Sequence, residues 1–367
     1  MKVSASSITL REEKIYSNFI DSLPAEKTRI SYKYELKRFM DFIGISSYTE
    51  LLEIVSRSDT TEIEEKIKSY ILDMVNRNFS TSYMKVFIAS VSHFYEWNDI
   101  ENIRWRKLKR FMGEKTPEHE DRCYTHEEIQ TLLNNSDLKL KVIILLMASA
   151  GLRLGTLPTL LVKHLEKIDS VYKINVYKGL KGKGKYYTFC TPECVTAIDS
   201  YLKFRERSGE KITGDSPLLR KDFDSLFHET ARKNVIPATY ASIRMVVFST
   251  LVKSGLRTID HTNFRNRKEV KMTHGFRKFF ETMLVNSNIH ETIIRKLTGH
   301  SDKSNLTQLY SRQTAEEMLS EYSRAIDPLT IDPTKRMARK ISTLEAEKTE
   351  IQALRLELEK VKRAIHV

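Results

Sequence analysis

The sequence predicts a mainly α-helical, two-domain protein: an N-terminal helical bundle, an α-rich second domain with a small antiparallel hairpin, and a C-terminal amphipathic helix. Three observations predict this class. The 367 residues are enough for two or three domains. Apolar residues recur at helical spacing along most of the chain, which has only 12 Gly and 8 Pro. One Gly- and Lys-rich stretch separates two segments rich in β-branched and aromatic residues, which predicts a hairpin.

Residues 8–112 form the predicted N-terminal domain. Two segments, Thr28–Phe42 and Thr81–Trp97, carry aromatic and aliphatic residues on one helical face. We interpret these residues as core rather than as a binding surface. They are Tyr32, Leu36, Phe39 and Phe42 in the first helix, and Tyr83, Val86, Phe87, Val91, Phe94 and Trp97 in the second.

The second domain is predicted at residues 123–332. Gly113–Arg122 has the composition of an exposed linker, covering residues 113–122. Thr125 and Glu128 then have the spacing of an N-terminal capping box, so a helix begins there. The apolar stretch Val142–Ala150 predicts a buried helix.

The hairpin is predicted within this second domain. Tyr172–Tyr177 and Tyr186–Phe189 are its two strands, and Lys178–Lys185 connects them. From Pro192 to about Asp327 the pattern is helical again.

The tail, residues 333–367, has a heptad pattern. Four apolar residues are spaced seven apart, and a second seam contains Leu354 and Val361 but is interrupted by Glu347. This predicts a coiled coil of about three heptads. A single amphipathic helix docked on its own chain is the alternative. The spaced residues are Leu344, Ile351, Leu358 and Ile365.

The charge balance indicates a polyanionic partner. Lys and Arg total 61 against 48 Asp and Glu, giving a net charge of +13 and a pI near 9.4. Nucleic acid is the first candidate and a membrane surface the second. Val142–Leu152 is the longest uncharged apolar stretch and is too short for a membrane span. With no signal-peptide pattern and three scattered cysteines, we expect a soluble intracellular protein.

Four Gly-marked segments hold the residues that could do chemistry. Motifs for metal-dependent hydrolysis or nucleotide binding do not occur in the sequence, so we expect no metal or other cofactor. The segments supply, in order, Arg153, the hairpin lysines, the pair His274 and Arg277, and His300, with Tyr310 following ten residues later. Cations can neutralise a phosphorane, imidazole and Lys can move protons, and a tyrosine hydroxyl can form a covalent intermediate.

These motifs make the sequence resemble a tyrosine recombinase of the phage-integrase family. Thr28–Phe42 is similar to the family's core-binding domain, and Tyr124–Leu133 resembles the opening of its catalytic domain. Leu309–Ile331 resembles archaeal members in particular. The resemblance implies a site-specific DNA recombinase or integrase that needs neither metal nor ATP. It also implies a homo-tetramer on two double-stranded DNA sites and a cytoplasmic, nucleoid-associated location.

The resemblance also implies roles for individual residues. Arg153 and Arg277 would clamp the scissile phosphate, while His274 and His300 would contact it and assist proton transfer. Tyr310 would attack phosphorus to form a 3′-phosphotyrosyl link. A hairpin lysine would protonate the leaving 5′ oxygen; Lys183 is favoured, with Lys181 and Lys178 as alternatives.

Two departures from the family pattern leave other functions open. The family usually has Glu or Asp where this chain has Thr156, and Tyr310 lies ten residues after His300 rather than the common nine. Tyr322 is therefore a distant alternative nucleophile. A type IB topoisomerase-like nicking and closing activity, or a catalytically decayed DNA-binding protein, are the alternative functions.

Three cation-rich segments are the expected DNA contacts. Arg104–Arg110 has five cations and no acids, Lys178–Lys185 has four and none, and Arg257–Lys278 has seven against two acids. Such runs hold phosphate backbone without specifying sequence. The candidate contacts are Arg104, Arg106, Lys107, Lys109, Arg110, Lys185, Arg265, Arg267, Lys268 and Lys271.

Overall fold

The chain divides into two compact units, Met1–Glu118 and His119–Val367, each with its own hydrophobic core. This computed structural model describes residues 5–55, 59–113, 121–180, 184–224, 229, 235–258, 269–300 and 313–365.

Helices make up the first unit. The helix predicted at Thr28–Phe42 extends over Glu26–Ile43 and ends at Gly44, whose φ of 75° suits a glycine C-cap. The helix predicted from Thr81 is also present and begins at that residue. The helices are α1 (Ala5–Asp21), α2 (Glu26–Ile43), α3 (Tyr48–Glu53), α4 (Thr61–Asn76), α5 (Thr81–Glu96) and α6 (Trp105–Leu108), followed by a 3-10 turn at Lys109–Met112.

Five of the ten predicted core residues of the first unit are buried, two are half-buried and three are exposed. Phe42 is 44% exposed, Val86 37% and Trp97 52%. Each helical residue turns about 100°, so Phe42 and Val86 have rotated to the edge of the apolar face. Trp97 lies just beyond the last residue of α5. The prediction that these three belong to the core was wrong.

The second unit is mainly helical. Its first helix has the predicted capping box: Thr125 Oγ1 accepts from the Glu128 amide at 3.2 Å, and the Glu128 carboxylate accepts from the Thr125 amide at 2.8 Å. The helices are α7 (His126–Asn134), α8 (Leu138–Ser149), α9 (Pro192–Arg207), α10 (Tyr240–Lys253), α11 (His274–Asn286), α12 (Glu291–Leu297), α13 (Ala315–Ser323), α14 (Ile326–Leu329) and α15 (Pro333–Ile365).

The predicted hairpin forms part of a three-stranded antiparallel sheet. The strands are β1 (Leu165–Ile168), β2 (Val171–Val176) and β3 (Tyr186–Cys190), in the order β1-β2-β3. Tyr172 faces Cys190 at one end of the β2–β3 register, and Val176 faces Tyr186 at the other. The sequence pattern did not reveal β1, because this four-residue strand has no β-branched or aromatic alternation that marks a strand.

The end of the predicted linker belongs to the folded second unit. The Arg122 guanidinium contacts the Glu128 carboxylate at 2.7 Å and the Glu269 carboxylate at 2.6 Å. Its backbone amide donates to the Glu269 carbonyl at 3.2 Å. Composition could not show this, because Glu269 is remote in sequence.

A buried ionic cluster fixes the chain after α9. The Glu210 carboxylate lies between Arg205 and Arg220, at 3.0 Å from Arg205 Nε and 2.6 Å from Arg220 Nη1. The same Arg205 donates to the carbonyl oxygens of Pro217 and Leu218. Burial alone would raise the pKa of Glu210, but the hydrogen bonds from the two arginines hold that pKa below its ordinary value.

Among the described residues, the contacts that hold the C-terminal helix α15 lie near its beginning, where Arg339 also pairs with Asp327 at 2.8 Å. The buried Glu193 carboxylate accepts from the amides of Ile331 at 2.7 Å and Asp332 at 3.1 Å, just before α15 starts. Beyond this anchor, the apolar side chains that the structure describes on α15 are 50–62% exposed. The described part of the chain therefore does not cover this helix, and the alternative of a docked helix has no support there. None of the described helices is both long and apolar enough to cross a membrane.

The ionic cluster generates a stability prediction. Glu210→Gln should lower the free energy of unfolding by about 3–5 kcal/mol, because it leaves two buried guanidiniums without their carboxylate. Urea titration at neutral pH would measure this loss. Because the folded-state pKa of Glu210 is lowered, the difference between wild type and variant should shrink as pH falls through that pKa.

Glu206→Gln is the matched control, since Glu206 is exposed on the neighbouring turn. It should change stability by less than about 0.5 kcal/mol. Equal unfolding midpoints for the two variants would contradict the assigned role of the cluster.

Candidate functional site

Arg277 is the buried centre of the site. It lies in the first turn of α11 and is only 2% exposed. Its Nη1 donates to the Gly151 carbonyl at 2.8 Å, its Nη2 to the Thr298 carbonyl at 2.6 Å, and its Nε to the Glu281 carboxylate at 3.0 Å. Burial lowers the pKa of Arg277, and the charge of Arg153 lowers it further.

Arg153 is held beside this buried guanidinium. It follows the buried helix α8 by four residues, and its side chain is exposed. Its Nη1 donates to the same Thr298 carbonyl at 3.2 Å. Two cations therefore share one acceptor, an arrangement whose mutual repulsion an anion would relieve.

His300 completes this group as a neutral imidazole. Its Nε2 lies 3.3 Å from Arg277 Nη2, and its Nδ1 lies 2.9 Å from Thr298 Oγ1. Arg277 can only donate, so Nε2 must accept and Nδ1 carries the proton. The Thr298 hydroxyl donates in turn to the Ile294 carbonyl at 2.7 Å. Desolvation lowers the pKa of His300, and the charges of Arg277 and Arg153 add to this effect.

His274, the other predicted histidine, is exposed at the first residue of α11. Desolvation is the main cause that lowers its pKa. The charges of Lys271 and Arg277 act in the same direction, while Glu281 opposes them. Both histidines therefore favour the neutral form, which can accept a proton.

Two glycines let the segments of the site approach closely. Gly151 has φ +62°, and a Cβ there would lie 2.4 Å from the Phe280 ring. Gly299 also has φ +62°, and a Cβ would lie 2.4 Å from the Tyr186 ring. Only glycine adopts this conformation and this contact without strain.

Hydroxyl groups occupy the place where the family pattern has a carboxylate. Thr156 is fully buried, and its Oγ1 lies 2.8 Å from the Tyr177 hydroxyl. The Tyr186 hydroxyl is also buried, and the Thr156 side chain acts on its pKa. Burial raises the pKa of Tyr186, while the charges of Arg277 and Arg153 act against the rise.

Sequence reasoning missed both tyrosines and the Thr298 carbonyl. The nearest indications in the sequence were Thr156, which stands where the family pattern has a carboxylate, and Gly299, which precedes His300. Neither identifies a tyrosine from the hairpin as the neighbour.

Several predicted residues lie outside the described part of the chain. The predicted nucleophile is one, and two of the candidate general-acid lysines are others. They are Tyr310, Lys183, Lys181, Arg265, Arg267 and Lys268. The third candidate lysine, Lys178, is exposed, and its charge lowers the pKa values of His164 and Glu166. Lys178 therefore lies near the start of β1.

Tyr322, the alternative nucleophile, is a core residue. It is fully buried, and its hydroxyl donates to the Ser149 carbonyl at 2.8 Å. Burial raises the pKa of this hydroxyl well above its ordinary value. These contacts are typical of a structural tyrosine.

The predicted DNA contacts differ in their surroundings. Arg104 makes a bidentate pair with the buried Glu64 carboxylate, with its Nη2 at 2.6 Å. Lys271 forms an ion pair with Asp121. The remaining described candidates are exposed: Arg106, Lys107, Lys109, Arg110 and Lys185.

Among the described residues, no group of three His, Cys, Asp or Glu could hold a metal ion.

Comparison with known sequences gives a family. The model of the phage integrase family matches residues 122–317, which include the whole site. A protein named tyrosine recombinase from Thermosipho africanus is 21% identical over 83% of this chain and 97% of its own length. Tyrosine recombinase XerA of Saccharolobus solfataricus is 23% identical over 85% of this chain and 92% of its own length.

Solved structures share the fold. The Tn1549 transposon integrase in complex with transposon right end DNA matches with a TM-score of 0.56 and 16% identity, covering 85% of this chain and 98% of that one. A lambda integrase tetramer bound to a Holliday junction matches with a TM-score of 0.54 and 14% identity, covering 85% and 80%.

The close approach at Gly151 generates a prediction. Gly151→Ala should destabilise the protein by more than about 1 kcal/mol, because the alanine would need positive φ and would overlap Phe280. Chemical denaturation would measure the loss. Gly155→Ala is the matched control in the same segment, since a Cβ there meets nothing within 4 Å. The same loss in both variants would contradict the assigned contact.

Proposed function

The chain belongs to the phage integrase family, and we propose that it is a site-specific tyrosine recombinase that cleaves and rejoins double-stranded DNA through a 3′-phosphotyrosyl intermediate. One observation carries the proposal. Arg153 and Arg277 converge on the Thr298 carbonyl with the neutral His300 beside them. Guanidiniums so arranged suit the non-bridging oxygens of one phosphate. The names of the related tyrosine recombinases support the same activity.

Cleavage uses a tyrosine nucleophile. The Tyr310 oxygen attacks phosphorus, a new P–O bond forms, and the bond from phosphorus to the 5′ oxygen breaks. The leaving 5′ oxygen takes a proton from a hairpin lysine, Lys183 in our first choice and Lys181 or Lys178 otherwise. The two arginines neutralise the charge that develops on phosphorus oxygens.

The two histidines are the proposed acceptors of the proton that Tyr310 loses. His274 is exposed and favours the neutral form, so it can accept this proton. His300 Nε2 carries no proton in the neutral tautomer, and it can accept one when it leaves its hydrogen bond with Arg277 Nη2. In the second step, a 5′ hydroxyl from the partner strand attacks the phosphotyrosyl link and releases the tyrosine. The number of phosphodiester bonds is unchanged, so the reaction needs no ATP, and these residues carry it without a metal.

The exposed cations provide DNA contacts in this proposal. Residues 8–112 serve as the core-binding domain, residues 123–332 as the catalytic domain, and residues 333–367 as an assembly helix. Arg106, Lys107, Lys109 and Arg110 are exposed and can neutralise phosphates. Arg104 contributes less, because Glu64 already compensates its charge. We place the protein on DNA in the cytoplasm, as a homo-tetramer joining two sites.

One observation favours a second candidate function. Thr156 replaces the carboxylate that the family pattern has near the first arginine, so a DNA-binding protein without cleavage activity is the alternative. Relaxation of supercoiled DNA without site preference would instead indicate a topoisomerase-like activity.

A suicide-substrate assay tests the nucleophile. Nicked duplexes carrying inverted repeats from the DNA beside the protein's own gene should give a denaturant-stable protein–DNA adduct. Tyr310→Phe should abolish the adduct, because it removes the attacking oxygen. Tyr322→Phe is the matched control and should retain it, since this hydroxyl is buried against Ser149. An adduct that survives in Tyr310→Phe would contradict the assignment.

The arginine pair gives a second prediction. Arg153→Ala should slow single-turnover cleavage about 10²–10³-fold, the usual effect of losing one transition-state donor. Arg153→Lys should recover part of the rate, because it restores the charge but not the planar fork. Arg207→Ala removes an exposed arginine of α9 and is the charge-matched control. A cleavage rate of Arg153→Ala equal to that of the wild type would contradict the proposed phosphate clamp.

A further inference from the structure

The apolar face of α15 is exposed, and the proposed chemistry leaves it unused. We propose that α15 pairs with α15 of a second copy of this chain in a parallel, two-stranded coiled coil. The exposure of this face and the positions of the charged residues beside it support this pairing.

The face is uncovered along the part of the helix whose side chains are described. Leu344 is 54% exposed, Ile351 51%, Leu354 57% and Leu358 55%. These residues recur along a 33-residue helix at heptad positions a and d. A helix of this length spans about 50 Å, at 1.5 Å per residue. Burying such a stripe against a like helix removes apolar surface from water.

The charges flanking the stripe are sorted by sign. With Leu344, Ile351 and Leu358 at position a, position e is always a cation and position g is acidic in the first two heptads. The e residues are Lys348, Arg355 and Lys362, and the g residues are Glu350 and Glu357.

This sorting determines the direction of pairing. In a parallel pair, each g residue faces the e residue of the following heptad in the other strand. Glu350 then faces the second copy's Arg355, and Glu357 faces its Lys362. In an antiparallel pair, e would face e and g would face g, which places like charges together. The charge pattern therefore favours parallel strands of the same sequence.

The pattern also favours two strands. In a dimer, e and g residues stay at the solvent-exposed rim, where lysine and arginine stems cover the apolar seam. Larger bundles bury these positions more deeply, which would desolvate the charges. Glu347 at position d opposes association, because it faces its own copy in a parallel pair. We therefore expect a weak pair in free solution that strengthens when two copies are held close together.

Cysteine cross-linking in the full-length protein tests the orientation. Leu344→Cys, at position a, should form an intermolecular disulfide under mild oxidation, because equivalent a residues face each other in a parallel pair. Leu356→Cys is the matched control: it is 62% exposed but lies at position f, on the outer face. Cross-linking of Leu344→Cys no greater than that of Leu356→Cys would overturn the proposal.

Charge reversal tests the flanking pairs. Sedimentation equilibrium without DNA should show that Glu350→Lys with Glu357→Lys weakens self-association at least about tenfold, since all four attractive pairs become repulsive. Adding Arg355→Glu and Lys362→Glu restores opposite charges in all four pairs and should restore the dimer. A dimer insensitive to the first change, or not rescued by the second, would contradict parallel pairing.

Other occupants give different results. If α15 docks on its own chain or on DNA, the wild type stays monomeric without DNA and Leu344→Cys gives no cross-linked dimer. Either result overturns the proposal. Neither experiment requires DNA cleavage, so their failure is distinguishable from failure of the proposed recombinase activity.

Discussion

The hydrogen bonds of the buried Arg277 guanidinium hold the site together. A buried cation is costly unless carbonyls or carboxylates satisfy its donors. Arg277 meets this need with Gly151, Thr298 and Glu281, which come from three different parts of the second unit. Joining these segments also brings Arg153 into reach of Thr298 and His300 into reach of Arg277. The buried Arg277 therefore determines where the exposed Arg153 and His300 lie.

The hydroxyls around Thr156 change the electrostatics of this arrangement. A carboxylate would compensate the charge of Arg153, whereas Thr156 and Tyr177 form a neutral pair. The free site thus retains more positive charge than a carboxylate would leave. A bound phosphate gains from that charge.

The sequence was most informative where side-chain patterns determine structure. Helical spacing predicted α2 and α5, and the capping box marked the first residues of α7. The resemblance singled out Arg153, Arg277 and His300, which the structure brings together. The shared Thr298 carbonyl was not predictable, because every residue has a carbonyl and only the fold selects one. Tyr186 was missed for a related reason, since its proximity to Gly299 depends on how β3 meets the end of α12.

Local ion pairs determine how much of the net charge of +13 is available to attract DNA. Residues 333–367 contain nine cations and five acids, a composition that alone suggests a DNA-binding tail. In a parallel coil, however, Arg355 and Lys362 at position e face glutamates of the second copy, which reduces their attraction for phosphate. Arg104 is similarly compensated by Glu64. The cations left to attract DNA strongly are those without such partners, and Arg153 lies among them because its described partner is a neutral carbonyl.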